Sequence, residues 1–79
     1  MRLDKYLKVS RIIKRRTLAA EACAAGKVSV NGTVVKASYT VKVGDVIALT
    51  FGSKVNQVEV TAIKESTKKE DAALMYKTI

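Results

Sequence analysis

The dipeptide Asn31-Gly32, set between Val28-Ser29-Val30 and Thr33-Val34-Val35, commits the middle of this chain to a tight hairpin. Both turn positions need positive φ, which asparagine and glycine tolerate and β-branched residues do not. Gly26 marks a change of period. Apolar residues recur at helical spacing before it and at every second position after it. The chain therefore reads as a helical part followed by a sheet.

In the helical part, Leu3 to Val9 reads as a short helix with Leu3, Tyr6, Leu7 and Ser10 on one side. Lys5 and Lys8 point elsewhere, Arg2 and Arg11 flank it, and Ile12 and Ile13 are available as core anchors. Thr17 to Ala25 reads as a second helix, rich in alanine, with Gly26 placed to end it. Leu18, Ala22 and Ala25 fall at i, i+4 and i+7, which predicts a narrow buried stripe of mostly small residues.

Beyond the hairpin, residues 37–40 form a polar connection and Val41-Lys42-Val43 begins another extended piece. Gly44-Asp45 makes a turn, Val46 to Phe51 a strand, Gly52-Ser53 a turn and Val55 to Ile63 a further strand. Thr67-Lys68-Lys69-Glu70 has the spacing of a capping box and opens a final helix with Ala72, Met75, Tyr76 and Ile79 as its apolar face. Being still apolar at Ile79, that helix implies a natural polar tail beyond it. The expected class is α+β: two N-terminal helices packed on a small antiparallel sheet, with a C-terminal helix. Residues 1–79 form one domain, with a core motif at about 2–52 and an extension at 53–79.

Charge is distributed as sharply as the periodicity. All four arginines, Arg2, Arg11, Arg15 and Arg16, lie in the first sixteen residues with Lys5, Lys8 and Lys14, and only Asp4 opposes them. That stretch holds +6 of the net +8. Guanidinium is a planar fork that grips phosphate in two places, whereas ammonium is a point charge. The pattern predicts a phosphate-binding face, and a pI near 9.9 points to an anionic partner.

Several classes of function are disfavoured by what the sequence lacks. Histidine is absent, removing the commonest general base and metal ligand. One cysteine makes neither an internal disulfide nor a thiolate cage, which fits a reducing cytoplasm. Cys23, inside an alanine run, is expected to be a packed helical thiol. No apolar run approaches the ~18 residues of a membrane span, and the basic amino terminus leads into no apolar signal core. The expectation is a cytoplasmic, monomeric, non-enzymatic protein with no cofactor, no metal and no membrane partner.

Arg2-Leu3-Asp4-x-x-Leu7, the basic stretch, the alanine-rich helix, then Gly26 to Gly32 and Val43-Gly44-Asp45 occur in a specific order. In that order they resemble the RNA-binding domain first defined in small-subunit ribosomal protein S-four, the αL motif, over about residues 2–52. The whole chain is similar to stand-alone bacterial members of that family that act on stalled large ribosomal subunits. One group serves ribosome-associated quality control; the other is of heat-shock type. The opening residues, the Thr67–Glu70 segment and the short length look more like the former.

The resemblance implies a helical platform whose basic edge lies on structured RNA. Its partners would be large-subunit ribosomal RNA, tRNA and a quality-control elongation factor. The protein would hold a peptidyl-tRNA while alanine is added to the stalled nascent chain. The family's RNA-facing positions map onto Arg2, Lys5, Arg15 and Arg16, with Lys8, Arg11 and Lys14 as supporting charge. The alternatives are a heat-shock-type recycling factor or the RNA-targeting module of an RNA-modifying enzyme. A peripheral membrane binder is disfavoured because the apolar side of the first helix is needed for the core.

Other residues carry narrower expectations. Asp4 should pair with Arg2 or a neighbour and fix its direction. Tyr6 and Tyr39 could stack on bases, although packing is the simpler role for each. Lys27 and Asn31 could approach RNA from the hairpin, and Gly44-Asp45 is read as a turn without chemistry. Only four aromatic residues, three of them far from the arginines, favour recognition of shape and backbone over reading of single-strand bases.

Overall fold

A computed structural model describes residues 1–65 and 68–79. Its elements are α1 (Leu3–Val9), α2 (Arg16–Ala24), β1 (Val28–Val30), β2 (Thr33–Val34), β3 (Val46–Phe51), β4 (Lys54–Val60), α3 (Lys69–Ala73) and β5 (Tyr76–Thr78). The strands form one antiparallel sheet in the order β2-β1-β3-β4-β5.

The hairpin forms where the sequence demands it. Asn31 and Gly32 have φ of 52° and 86°, and the register pairs Val30 with Thr33. Strand alternation then sets the buried face. Val28 lies opposite Leu49, Val30 opposite Ile47, and Ile47 opposite Val58, so these side chains fall on the same side of the sheet. They meet Leu3, Tyr6 and Leu7 of α1 and Ala19 and Cys23 of α2 in one core. The side of α1 read from sequence, including Ser10, is buried as expected.

The second helix turns a different face inward. Leu18 is about half exposed (48%) and Ala25 is exposed, while Ala19 and Cys23 are buried. Of the predicted stripe only Ala22 packs, partly buried, against the core, so the stripe was out of phase at Leu18 and Ala25. The surface met by α2 selects the small residues Ala19 and Cys23, one turn apart, which permit close approach to α1 and β1. Cys23 is the packed thiol expected, and burial raises its pKa. The helix ends in a Schellman motif, with Gly26 N–H on the Cys23 carbonyl (3.0 Å) and Lys27 N–H on that of Ala22 (3.0 Å). Gly26 takes the left-handed conformation this motif needs, φ 73°.

Two further expectations are corrected. Val41-Lys42-Val43 adds no strand to the sheet. Thr40 bridges Arg2, and Val41 N–H donates to the Met1 carbonyl at 2.9 Å, so this segment pairs with the amino terminus instead. The C-terminal segment is helical only through Ala73; Tyr76–Thr78 runs as an edge strand along β4. A five-residue helix has little stability of its own, whereas the open edge of β4 offers a ladder of unpaired backbone groups. Strand pairing wins. The capping-box threonine, Thr67, lies outside the described residues.

Asp45 has more to do than sequence suggested. It is buried, and its carboxylate accepts from the Asn31 amide (3.1 Å), the Tyr39 hydroxyl (3.0 Å) and the Lys42 N–H (3.0 Å). Asn31 Oδ1 accepts in turn from the Val46 N–H at 3.0 Å. This network ties the hairpin turn to the start of β3. It also gives the Asn31 amide and the Tyr39 hydroxyl a structural hydrogen bond each.

Candidate nucleic-acid interface

The interface is anchored by a backbone dock. The first N–H groups of a helix have no partner within it. In α1, Leu3 N–H donates to the Tyr39 carbonyl (2.8 Å) and Asp4 N–H to that of Ala37 (3.2 Å). The polar connection at 37–40 therefore holds the start of α1 in place. Arg2, the residue before the helix, is fixed with it by the bridge to Thr40.

Asp4 is almost wholly buried (4% exposed) yet charged. Its carboxylate accepts from the Lys5 N–H at 2.8 Å and from Arg2 in two places, Nε–Oδ1 and Nη2–Oδ2, both 3.3 Å. Arg16 of the second helix approaches the other side, Nε–Oδ2 at 3.4 Å. One carboxylate thus orients two guanidinium groups from different elements. Each keeps N–H donors unspent on Asp4 and about half its side chain exposed, 54% for Arg2 and 48% for Arg16. Burial alone would raise the Asp4 pKa, but the Arg16 hydrogen bond, the Lys5 N–H and the charges of Arg16 and Arg2 outweigh it. The group is held below its ordinary value.

Local propensity does not favour this arrangement. Arginines at and just before the start of α2 oppose the helix dipole, and the first turn of α2 has no acid of its own. Asp4, reaching across from α1, supplies the missing negative charge. Sequence reasoning anticipated its pairing with Arg2; the cross-helix link to Arg16 became visible only in the fold.

The other expected cations divide into two sets. Arg15 caps α2 with its backbone and is exposed beside Arg16. Lys5 forms an ion pair with Glu65 at 2.9 Å, an exposed contact that a phosphate can displace. Lys8, Arg11 and Lys14 line a cleft of about 220 Å³ with Val9 at the end of α1. Arg11 adopts φ 63°, unusual for a residue with a side chain. Tyr6, by contrast, is buried with its hydroxyl donating to the Met75 carbonyl at 2.8 Å, so it packs rather than stacks on RNA. Among the described residues no cluster of His, Cys, Asp and Glu is arranged to hold a metal, and no helix is long and apolar enough to cross a membrane.

The depressed pKa values of Asp4 and Asp45 make an acid-stability prediction. For Asp45, burial is outweighed by the Lys42 N–H, the Tyr39 hydroxyl and the Asn31 amide. A carboxylate whose pKa is lower folded than unfolded contributes stability above its unfolded pKa, lost as pH falls through the folded one. Urea midpoints should therefore be level from neutral pH down to about 5 and drop below the ordinary aspartate value of 3.8. Asp4→Asn and Asp45→Asn should each flatten that acid limb. An unchanged limb in both variants would remove these groups as its cause.

Comparison with known proteins agrees with this architecture. Residues 1–47, more than half of the chain, match the S4 domain family. The chain belongs to this family. Over 79 residues it is 57% identical to the RQC P-site tRNA stabilizing factor of Streptococcus pneumoniae, covering all of this chain and 90% of that protein. The protein of the same name from Bacillus subtilis is 57% identical over 76 residues, covering 96% of this chain and 88% of the relative. Among solved structures, the trimeric heat shock protein 15 of Vibrio cholerae superposes with a TM-score of 0.91 at 31% identity, covering all of this chain and 81% of that one. In this S4-domain chain, the two N-terminal helices and the sheet are therefore parts of one known architecture.

Proposed function

We propose that this protein is a non-catalytic RNA-binding factor of stalled-ribosome quality control. In this reading it lies on large-subunit ribosomal RNA and stabilises a peptidyl-tRNA while a partner elongation factor directs alanine tailing. The observation that carries the reading is the Arg2–Asp4–Arg16 bridge. A buried carboxylate spends one charge to aim two guanidinium groups, and their outer donors can take adjacent phosphates of a folded RNA backbone. Lys5, Arg15, Lys8, Arg11 and Lys14 extend the same field. The names of the relatives in Streptococcus pneumoniae and Bacillus subtilis support the cellular setting.

The test is co-sedimentation with large subunits carrying peptidyl-tRNA. Alanine at both Arg2 and Arg16 should abolish it. Because alanine strips Asp4 of both charged partners, glutamine at the two positions is the companion variant. Glutamine keeps an N–H donor near Asp4 while deleting the charge. Folded variants that sediment like wild type would refute the assignment of this face. The likeness to heat shock protein 15 supports a second reading, recycling of stalled subunits; equal binding with and without tRNA would favour it.

A further inference from the structure

The side of the sheet that carries the core is not covered to its end. Phe51 shares strand parity with the buried Ile47 and Leu49, yet it is about half exposed, 47%. On the same side, Asn56 lies opposite Leu49, Lys54 opposite Phe51, and Thr78 opposite Val58. Asn56, Lys54 and Thr78 are all exposed, at positions whose partners on β3 and β4 carry apolar side chains. Together with Arg11 and Ile12, residues Phe51, Asn56 and Thr78 line a groove of about 260 Å³ floored by Leu49 and Val58. Arg11 also lines the Lys8–Lys14 cleft, so an apolar groove and a cationic cleft share a wall.

We propose that this composite site takes one unpaired nucleotide of the bound RNA. Its base stacks on Phe51 with its edge toward Asn56 and Thr78, and its phosphate sits among Lys8, Arg11 and Lys14. This rests on the RNA-binding reading and adds a subsite to it. The chemistry favours a nucleotide over a protein side chain in two ways. An apolar side chain would leave the Asn56 amide and the Thr78 hydroxyl facing a group that cannot hydrogen-bond, whereas a base edge supplies donors and acceptors. Among the described residues no carboxylate lines either the groove or the cleft, so none there repels phosphate. In sequence the one aromatic residue among the arginines, Tyr6, is committed to the core; the fold instead places Phe51 on the same groove as Arg11.

The experiment compares two hairpin RNAs with the same stem, one fully paired and one with a single bulged 5-iodouridine, by fluorescence anisotropy at fixed salt. Wild-type protein should prefer the bulged RNA roughly tenfold, the scale of one base–aromatic stack. Phe51→Leu keeps an apolar side chain but removes the stacking face. It should erase that preference while leaving affinity for the paired RNA unchanged, and photocrosslinking of wild type should map the iodouridine to Phe51. Arg11→Gly, at a left-handed position where glycine fits, should weaken the bulged complex more than the paired one.

A bulge preference that survives Phe51→Leu overturns the subsite, as does a crosslink mapped away from the groove. So does an equal loss on both RNAs, which marks a structural role. An intact preference combined with lost binding of a synthetic Glu/Leu amphipathic peptide assigns the groove to protein and also overturns it. The Arg2→Gln/Arg16→Gln variant separates the two claims. If that variant binds both RNAs like wild type, the assignment of the Arg2–Arg16 face fails; if only Phe51→Leu is silent, the subsite alone fails.

Discussion

Raising monovalent salt from 50 to 200 mM should weaken binding of this protein to structured RNA by roughly 500-fold if about five phosphates are neutralised. Each phosphate contact releases condensed counterions, and the scale from duplex DNA gives a log–log slope of about −4.5 for five of them. Seven cations are candidates, and Lys5 begins with Glu65 as a competing partner, so engagement of five is a reasonable working number. The Arg2→Gln/Arg16→Gln variant should lose two contacts. Its slope should relax to about −2.7, and the same salt step should then cost only roughly 40-fold. Titrations of both proteins over that range decide the matter. Parallel slopes would mean that the bridged arginines do not touch phosphate, whatever the drop in absolute affinity.

Tyr6→Ala should cost about 3–5 kcal/mol, the usual loss on truncating a buried aromatic side chain. A chain of this length has a total stability on the order of 4–12 kcal/mol, so much of it would be gone. Tyr6 is fully buried in α1, and its hydroxyl reaches the Met75 carbonyl, joining the first helix to the corner between α3 and β5. Tyr6→Phe should be far milder, about 0.5–1.5 kcal/mol and toward the low end. The Met75 carbonyl also accepts from the Thr61 N–H (2.9 Å) and the Ala62 N–H (3.3 Å), so it is not orphaned. Urea denaturation of the two variants separates packing from hydrogen bonding. A phenylalanine variant as unstable as the alanine one would show that the hydroxyl, not the ring, holds the corner.

These two predictions differ in how far sequence could have led to them. The cationic set was legible because arginine is confined to one end of the chain. The inward side of α1 was legible because Leu3, Tyr6 and Leu7 are large and apolar, leaving only one way to bury them. In α2 the candidates were Leu18 and a run of alanines, which bury little area whichever way they face. Contact with α1 and β1 set the phase, and Ala19 and Cys23 went inward. The C-terminal segment misled for a similar reason. Ala72, Met75, Tyr76 and Ile79 fit a helical face, but the competing partner, the edge of β4, is far away in sequence.

The candidate site divides the same way. Lys5, Lys8, Lys14 and the four arginines are readable from residue type, whereas their grouping is not. Arg2 and Arg16 lie fourteen positions apart, and only helix packing brings them to opposite sides of Asp4. Asp45 looked like an ordinary turn residue, because its three hydrogen-bond donors come from positions 31, 39 and 42. Phe51 looked like the end of a strand; that it stays half exposed at the end of the core-bearing face is a property of the packed layers.

What this sequence determined unaided was therefore the short-range part: the Asn31-Gly32 turn, the glycine that ends α2, the period of α1 and β3, and the sign of the amino-terminal charge. Each follows from φ preferences, side-chain periodicity or composition within a few residues. Tertiary structure decided the phase of α2, the conversion of the carboxyl end into β5, and which cations share a carboxylate. Those outcomes are competitions between partners distant in the chain, won by burying area and pairing backbone groups, and no local preference can rank them.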